Sequence, residues 1–131
     1  MKVLLDTSAW IEHFKGTTKL VKEVLLDETI EVLSHRMVIA ELMLGGISSE
    51  SEAMDAIKTL TTAKEATSSE VMAFIEANGI FNKGVGFGDC SILASCILSD
   101  AAILTFDKNL MELAKELSNF DVKVTPFRFE R

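Results

Sequence analysis

Lys2-Val3-Leu4-Leu5-Asp6-Thr7-Ser8 is a short apolar run that stops at an acid and passes into two hydroxyl residues. An unbroken apolar run, rather than an alternating one, marks a strand covered on both faces, as in a parallel sheet whose crossovers are helices. Helical spacing follows over residues 8–14. Past Gly16 it resumes over residues 18–26, with Leu20, Val21, Val24 and Leu25 on one stripe. Residues 29–34 read as a second strand. Residues 37–44 read as a helix stopped by Gly45 and Gly46.

Farther out, the spacing predicts a helix over 48–60 and a short third strand within 61–67. Ser68 or Ser69 is expected to cap the next helix, in which Val71, Met72, Phe74 and Ile75 face inward. Residues 79–88 hold four of the seven glycines and read as a loop, followed by a helix over 89–98. A fourth strand is expected over 101–105, a helix over 108–117, and a fifth strand over 122–125 ended by Pro126. There is no internal repeat, linker or low-complexity tract. Strands alternating with helices predict one α/β domain, residues 1–131, around a parallel sheet.

Composition narrows the function classes. The chain has 131 residues, 48% hydrophobic and 25% charged, which is globular rather than disordered. Its net charge of −7 excludes a basic protein that coats nucleic acid. No apolar run approaches the ~18 residues of a membrane helix. The opening run meets Asp6 too early for a signal peptide. Cys90 and Cys96 lie ~240° apart around one helix at ~100° per residue, so they are not expected to pair. The expectation is a reduced, cytoplasmic protein without a structural zinc site.

Four acids carry the functional reading. Asp6 ends the first strand and Asp107 follows the fourth, and open parallel sheets build sites beyond their carboxyl strand ends. Each is equally readable as a helix cap. Glu41 is the one charged residue from Met37 to Ile47, and its same-face neighbours Met37, Val38, Leu44 and Gly45 are apolar. A buried carboxylate requires compensation, by an ion or by a salt bridge to Arg36 or a lysine. Asp89 opens a segment with no further charge until Asp100. Together the four are a donor set for a hard cation, Mg²⁺ or Mn²⁺. Such ions serve phosphodiester hydrolysis.

These residues resemble a family. Asp6-Thr7-Ser8 resembles the opening of PIN-domain ribonucleases, in particular the VapC-like toxins of toxin–antitoxin pairs. The stretch from Val38 through Glu41 to Gly45 resembles the second acidic motif. Asp89-Cys90-Ser91-Ile92-Leu93-Ala94 resembles the third, and Ile103-Leu104-Thr105-Phe106-Asp107-Lys108 the fourth. The glycines at 84, 86 and 88 and the serines and cysteines after Asp89 depart from the usual pattern. The resemblance implies a five-stranded parallel sheet, order 3-2-1-4-5, flanked by helices. It implies that Asp6, Glu41, Asp89 and Asp107 are catalytic and bind Mg²⁺ or Mn²⁺, with Ser8 and Thr105 orienting carboxylates through hydrogen bonds. It further implies an RNA substrate, a small antitoxin partner and a homodimer. Two divalent ions would move the net charge from −7 to −3.

Other readings are weaker. Gly84-x-Gly86-x-Gly88 would put Asp89 where a phosphate must sit. His13 and His35 have no motif supporting an acid–base pair. A non-catalytic PIN-like binding domain has no need of all four acids. An RNA-processing PIN nuclease without an antitoxin has the same residues as a toxin.

Overall fold

The computed structural model describes residues 1–118 together with the backbone of Thr125 and Pro126. Strand β1 (Lys2–Leu5) lies at the centre of the sheet, and Val3, Leu4 and Leu5 have no exposed surface. It is flanked by β2 (Glu31–Ser34) and β4 (Ala102–Leu104), with β3 (Thr61–Thr62) and β5 (Thr125–Pro126) at the edges. The order is β3-β2-β1-β4-β5, and every neighbouring pair is parallel. Val3 stands opposite Val32 on one side and Ala102 on the other.

The chain builds outward from β1 to β2 and β3, then returns past β1 to lay down β4 and β5. The strand order therefore reverses between β1 and β4. In open parallel sheets this is where the loops part and leave a crevice. The fifth strand was expected to stop before Pro126, yet Pro126 lies within it, opposite Ile103. An edge strand tolerates the missing N–H. Residues 122–124 of that expected strand lie outside the described residues.

Seven helices complete the described fold: α1 (Thr7–Lys15), α2 (Leu20–Leu26), α3 (Arg36–Leu44), α4 (Glu52–Lys58), α5 (Ser68–Ala77), α6 (Phe87–Ser99) and α7 (Lys108–Ser118). Gly16 ends α1 at φ 73°, a left-handed conformation that glycine adopts without a Cβ penalty. Helix α4 is shorter than its apolar spacing predicts. Ser51 first closes a turn on the Ser48 carbonyl, then accepts a bond from the Met54 N–H at 3.1 Å. The cap of α5 is Thr67, one residue before the serines expected to serve. Thr67 and Glu70 bond each other's backbone reciprocally, which satisfies two orphan donors where Ser68 alone would satisfy one.

Helix α6 begins at Phe87, two residues earlier than expected, and takes Gly88 into its first turn. The seven residues from Cys90 to Cys96 are all buried, which explains their lack of charge. Cys90 and Cys96 are both free thiols. Helix α1 packs on α2 and α3, α3 on α4, and α5 on α6. Among the described residues no helix is long and apolar enough to cross a membrane.

Candidate active site

Asp6 stands where β1 gives way to α1, with its backbone N–H on the Leu104 carbonyl of β4 at 3.2 Å. Only 4% of it is exposed. Its Oδ1 accepts the Ala9 N–H at 3.0 Å and the Ser8 hydroxyl at 2.6 Å, and its Oδ2 accepts the Thr105 hydroxyl. Asp6 thus caps α1 and also binds the end of β4. Burial holds its carboxyl above the ordinary value of 3.8 against these three hydrogen bonds, and the charge of Asp89 adds to the rise.

Ser8 and Thr105 work as a pair around this carboxylate. Each hydroxyl has one proton, and each directs it at a different Asp6 oxygen. Their lone pairs then take backbone donors from the β4–α7 turn. Ser8 accepts the Phe106 N–H at 2.8 Å, and Thr105 accepts the Asp107 N–H at 3.0 Å. The turn that carries Asp107 is therefore fastened to Asp6 through two hydroxyls. Behind Asp6, burial first and the Asp6 charge second push the Cys96 thiol up to about 12, so it is inert at neutral pH.

Asp107 caps α7 through Oδ1, which accepts the Leu110 N–H at 3.0 Å. Asp89 lies in the first turn of α6, where its Oδ2 accepts the Gly86 N–H at 3.2 Å. It is a third-position residue of that helix rather than its cap, because the helix starts before it. Burial raises its carboxyl above the ordinary value, and the nearby charge of Asp107 raises it further. Asp89 Oδ1 and Asp107 Oδ2 have no hydrogen-bond donor among the described residues.

Glu41 differs from the burial expected of it. It is exposed, because the outer end of α3 projects from the core. Met43 is 42% exposed and Leu44 88% exposed beside it. Of its same-face neighbours Val38 is buried, whereas Leu44 and Gly45 face solvent, so Glu41 sits where the helix leaves the core. Nor does Arg36 neutralise it, since Arg36 pairs with Glu65 at 2.9 Å. Glu41 Oε1 instead accepts the hydroxyl of Thr7, the residue next to Asp6, at 3.0 Å. Thr7 is a link that no sequence signal singled out.

Asp6 and Asp107 thus follow the ends of the adjoining strands β1 and β4, the charge of Asp89 acts on Asp6 and that of Asp107 on Asp89, and Glu41 is tied to Thr7 beside Asp6. Among the described residues, no three His, Cys, Asp or Glu side chains stand close enough to enclose a metal ion in this arrangement. Three of the carboxylates are turned toward backbone N–H groups at helix starts, and like charges favour that separation. The donor set is nonetheless all-oxygen with acceptor capacity to spare, which suits a hard divalent cation. Helix capping accounts for one oxygen of Asp89 and one of Asp107, and leaves the other free.

His13 and His35 are not brought together. His13 packs against the rings of Trp10 and Phe14. His35 is buried. Its Nδ1 accepts the Met37 N–H at 3.1 Å and so caps α3, which leaves Nε2 protonated to bond Ser95 Oγ of α6 at 3.0 Å. His35 therefore connects the helix of Glu41 with the helix of Asp89, a role its sequence position alone did not reveal.

The PIN domain family model matches residues 3–116. Ribonuclease VapC32 of Mycobacterium tuberculosis is 31% identical over 115 residues, covering 87% of this chain and 91% of that protein. Among solved structures, VapBC2 from Rickettsia felis, bound to a DNA fragment from its promoter, aligns over 99% of this chain and 100% of that one. The TM-score is 0.63 at 15% identity. VapBC-1 from nontypeable Haemophilus influenzae aligns over 88% and 94%, with TM-score 0.62 at 17% identity. At these identities the two structures speak to the fold alone.

Proposed function

The chain belongs to the PIN-domain family, and from that premise we propose that it is a metal-dependent endoribonuclease and the toxin of a VapBC-type pair. The observation that carries this reading is the buried Asp6 carboxylate at the strand-order reversal, coupled to Asp89 and, through it, to Asp107. In this reading Asp6, Glu41, Asp89 and Asp107 hold Mg²⁺ or Mn²⁺. The ion, when bound, supplies Lewis-acid stabilisation of the phosphodiester and a more acidic water.

The chain's own contribution is position and charge. Ser8 and Thr105 fix the Asp6 rotamer from both sides, so that this carboxylate cannot turn away from the crevice. Their second bonds hold the Phe106–Asp107 backbone at a constant distance from it. Asp89 and Asp107 offer unengaged oxygens, and Glu41 needs to break only one exposed hydrogen bond to swing inward.

A small antitoxin fits the surface beside Glu41. Ile11, Phe14, Leu42 and Ile47, together with Lys15 and Glu41, line a cavity of about 270 Å³. A partner segment could fill this groove and extend a basic side chain to the carboxylates. Arginine is the choice, since it pairs bidentately and stays charged. The reading also includes a homodimer, one domain over residues 1–131 and action in the cytoplasm on RNA.

Cleavage of a mixed RNA pool tests the proposal. Activity should require Mg²⁺ or Mn²⁺, vanish in EDTA and vanish in Asp6→Asn. Full activity in EDTA contradicts the mechanism. Co-expression with the product of a small adjacent reading frame, where the gene has one, should give a stable, inactive complex. Failure of that arm removes the toxin assignment and leaves the nuclease.

A further inference from the structure

Five phenylalanines fall among the described residues. Phe14 and Phe74 pack against the core. The other three are exposed, and all three lie on the segments that carry Asp89 and Asp107. Phe87 opens α6, two residues before Asp89, and is 48% exposed. Phe106 sits between Thr105 and Asp107 and is 44% exposed. Phe81 stands on the loop that leads into α6.

These two segments adjoin each other. Asn109 of α7 donates to the Gly84 carbonyl at 3.3 Å, and Lys83 pairs with Glu116 of the same helix at 3.2 Å. The backbone beneath Phe106 is held by the Ser8 hydroxyl at 2.8 Å. The rings are therefore presented on anchored backbone. Phe87 and Phe106 leave close to half of their surface to solvent and Phe81 leaves more, an exposure that packing within the fold does not require.

The charge balance gives a reason for that exposure. Nucleic-acid binding ordinarily draws its affinity from cations that displace counterions on phosphate. A chain of net charge −7 is poorly equipped for that, and the loop's Lys83 is already paired with Glu116. Aromatic stacking on unpaired bases is the other general source of affinity for single strands, and it requires exposed rings.

We infer that Phe87 and Phe106 form a stacking platform for unpaired RNA bases beside the carboxylates of Asp89 and Asp107. The inference rests on the nuclease reading above and deepens it. A protein partner would more readily take the groove between α1 and α3, where the apolar surface is concave. Duplex RNA buries its base faces, so it cannot use the platform.

Cleavage kinetics on a single-stranded oligonucleotide and on its duplex form test this. Phe87→Ala and Phe106→Ala should each raise KM by about tenfold with kcat little changed. Phe106→Trp should restore KM. The added indole should be quenched by oligouridylate in EDTA, beyond any change in wild type. The duplex should be cut far more slowly than the single strand. An unchanged KM in the folded double variant F87A/F106A, or equal cleavage of duplex, overturns the platform and leaves the nuclease reading intact. Loss of dimer or antitoxin binding in that variant, with KM unchanged, would assign the rings to a protein instead and also overturn it. Quenching without any cleavage in Mn²⁺ would keep the platform and overturn the nuclease reading.

Discussion

Asp6 and Glu41 are both carboxylates of one proposed site, yet their surroundings are opposites. Asp6 is buried, with both oxygens engaged by three donors from α1 and the end of β4. Glu41 is exposed, and one hydroxyl holds it. The difference teaches how a small domain can keep a cluster of like charges before any cation arrives. Asp6 is locked into the framework with its pKa raised by burial, and Glu41 is held by a single exposed bond. Such a site has a fixed half and an adjustable half.

The largest expected effect breaks the fixed half. Asp6→Asn should lower RNA cleavage on the order of a hundredfold or more, because it removes a negative oxygen from the proposed cation site and turns an N–H toward a hydroxyl that donates to the wild-type carboxylate. Glu41→Gln keeps an acceptor for Thr7, so any loss it causes reports on the charge alone. Equal activity of Asp6→Asn and wild type, by steady-state cleavage, would end the comparison.

Next come the hydroxyls. Thr105→Val strips a buried Asp6 oxygen of its donor and should cost about 1–3 kcal/mol of stability. Thr7→Val removes an exposed bond and should change stability by less than about 0.5 kcal/mol. Denaturant titration of the two variants sharpens the contrast, and equal costs would erase it.

A further effect appears through pH. Burial, with the charge of Arg36 in the same sense, lowers the His35 pKa from 6.5 against the pull of Glu65. The folded state thus binds the proton less well than the unfolded state. His35 therefore contributes stability above pH 6.5 that is lost as pH falls through its lowered folded value. Protonation also removes the lone pair that caps α3 at Met37. His35→Asn keeps a capping acceptor and should flatten the acid side of a plot of melting temperature against pH. An unchanged acid limb would show that His35 does not set it.

Much of this fold was legible in residues. The unbroken run from Val3 to Leu5 and the uncharged stretch after Asp89 announce burial directly, because desolvating charge there would be prohibitive. Strand ends at Asp6 and Thr105 follow from where those runs stop. Helix starts were less legible. Local hydrogen-bond competition decides them, as at Thr67, where a reciprocal Glu70 bond outweighs the serines that follow. Gly88 reads as loop although the helix has already begun at Phe87. The clearest misreading was Glu41. An apolar neighbourhood in sequence looks the same whether it is buried or exposed, and only the packing of α3 separates the two. The Thr7–Glu41 bond spans 34 residues and the His35–Ser95 bond spans 60, which is beyond any local pattern.

The central claim is that these carboxylates form one cation site rather than a set of unrelated helix caps. Thermal unfolding of wild type and Asp89→Asn, in EDTA and across a Mn²⁺ series, tests it most directly. Asn can still accept the Gly86 N–H, so the capping contribution is retained. In EDTA the variant should match wild type or exceed it by at most about 1 kcal/mol, since a repelling and partly desolvated charge has gone. Mn²⁺ should stabilise wild type with the logarithm of its concentration, by about 2.7 kcal/mol at a hundredfold excess over Kd. The variant should gain much less. Identical melting of both proteins at every Mn²⁺ concentration would remove Asp89 from the site and contradict the claim.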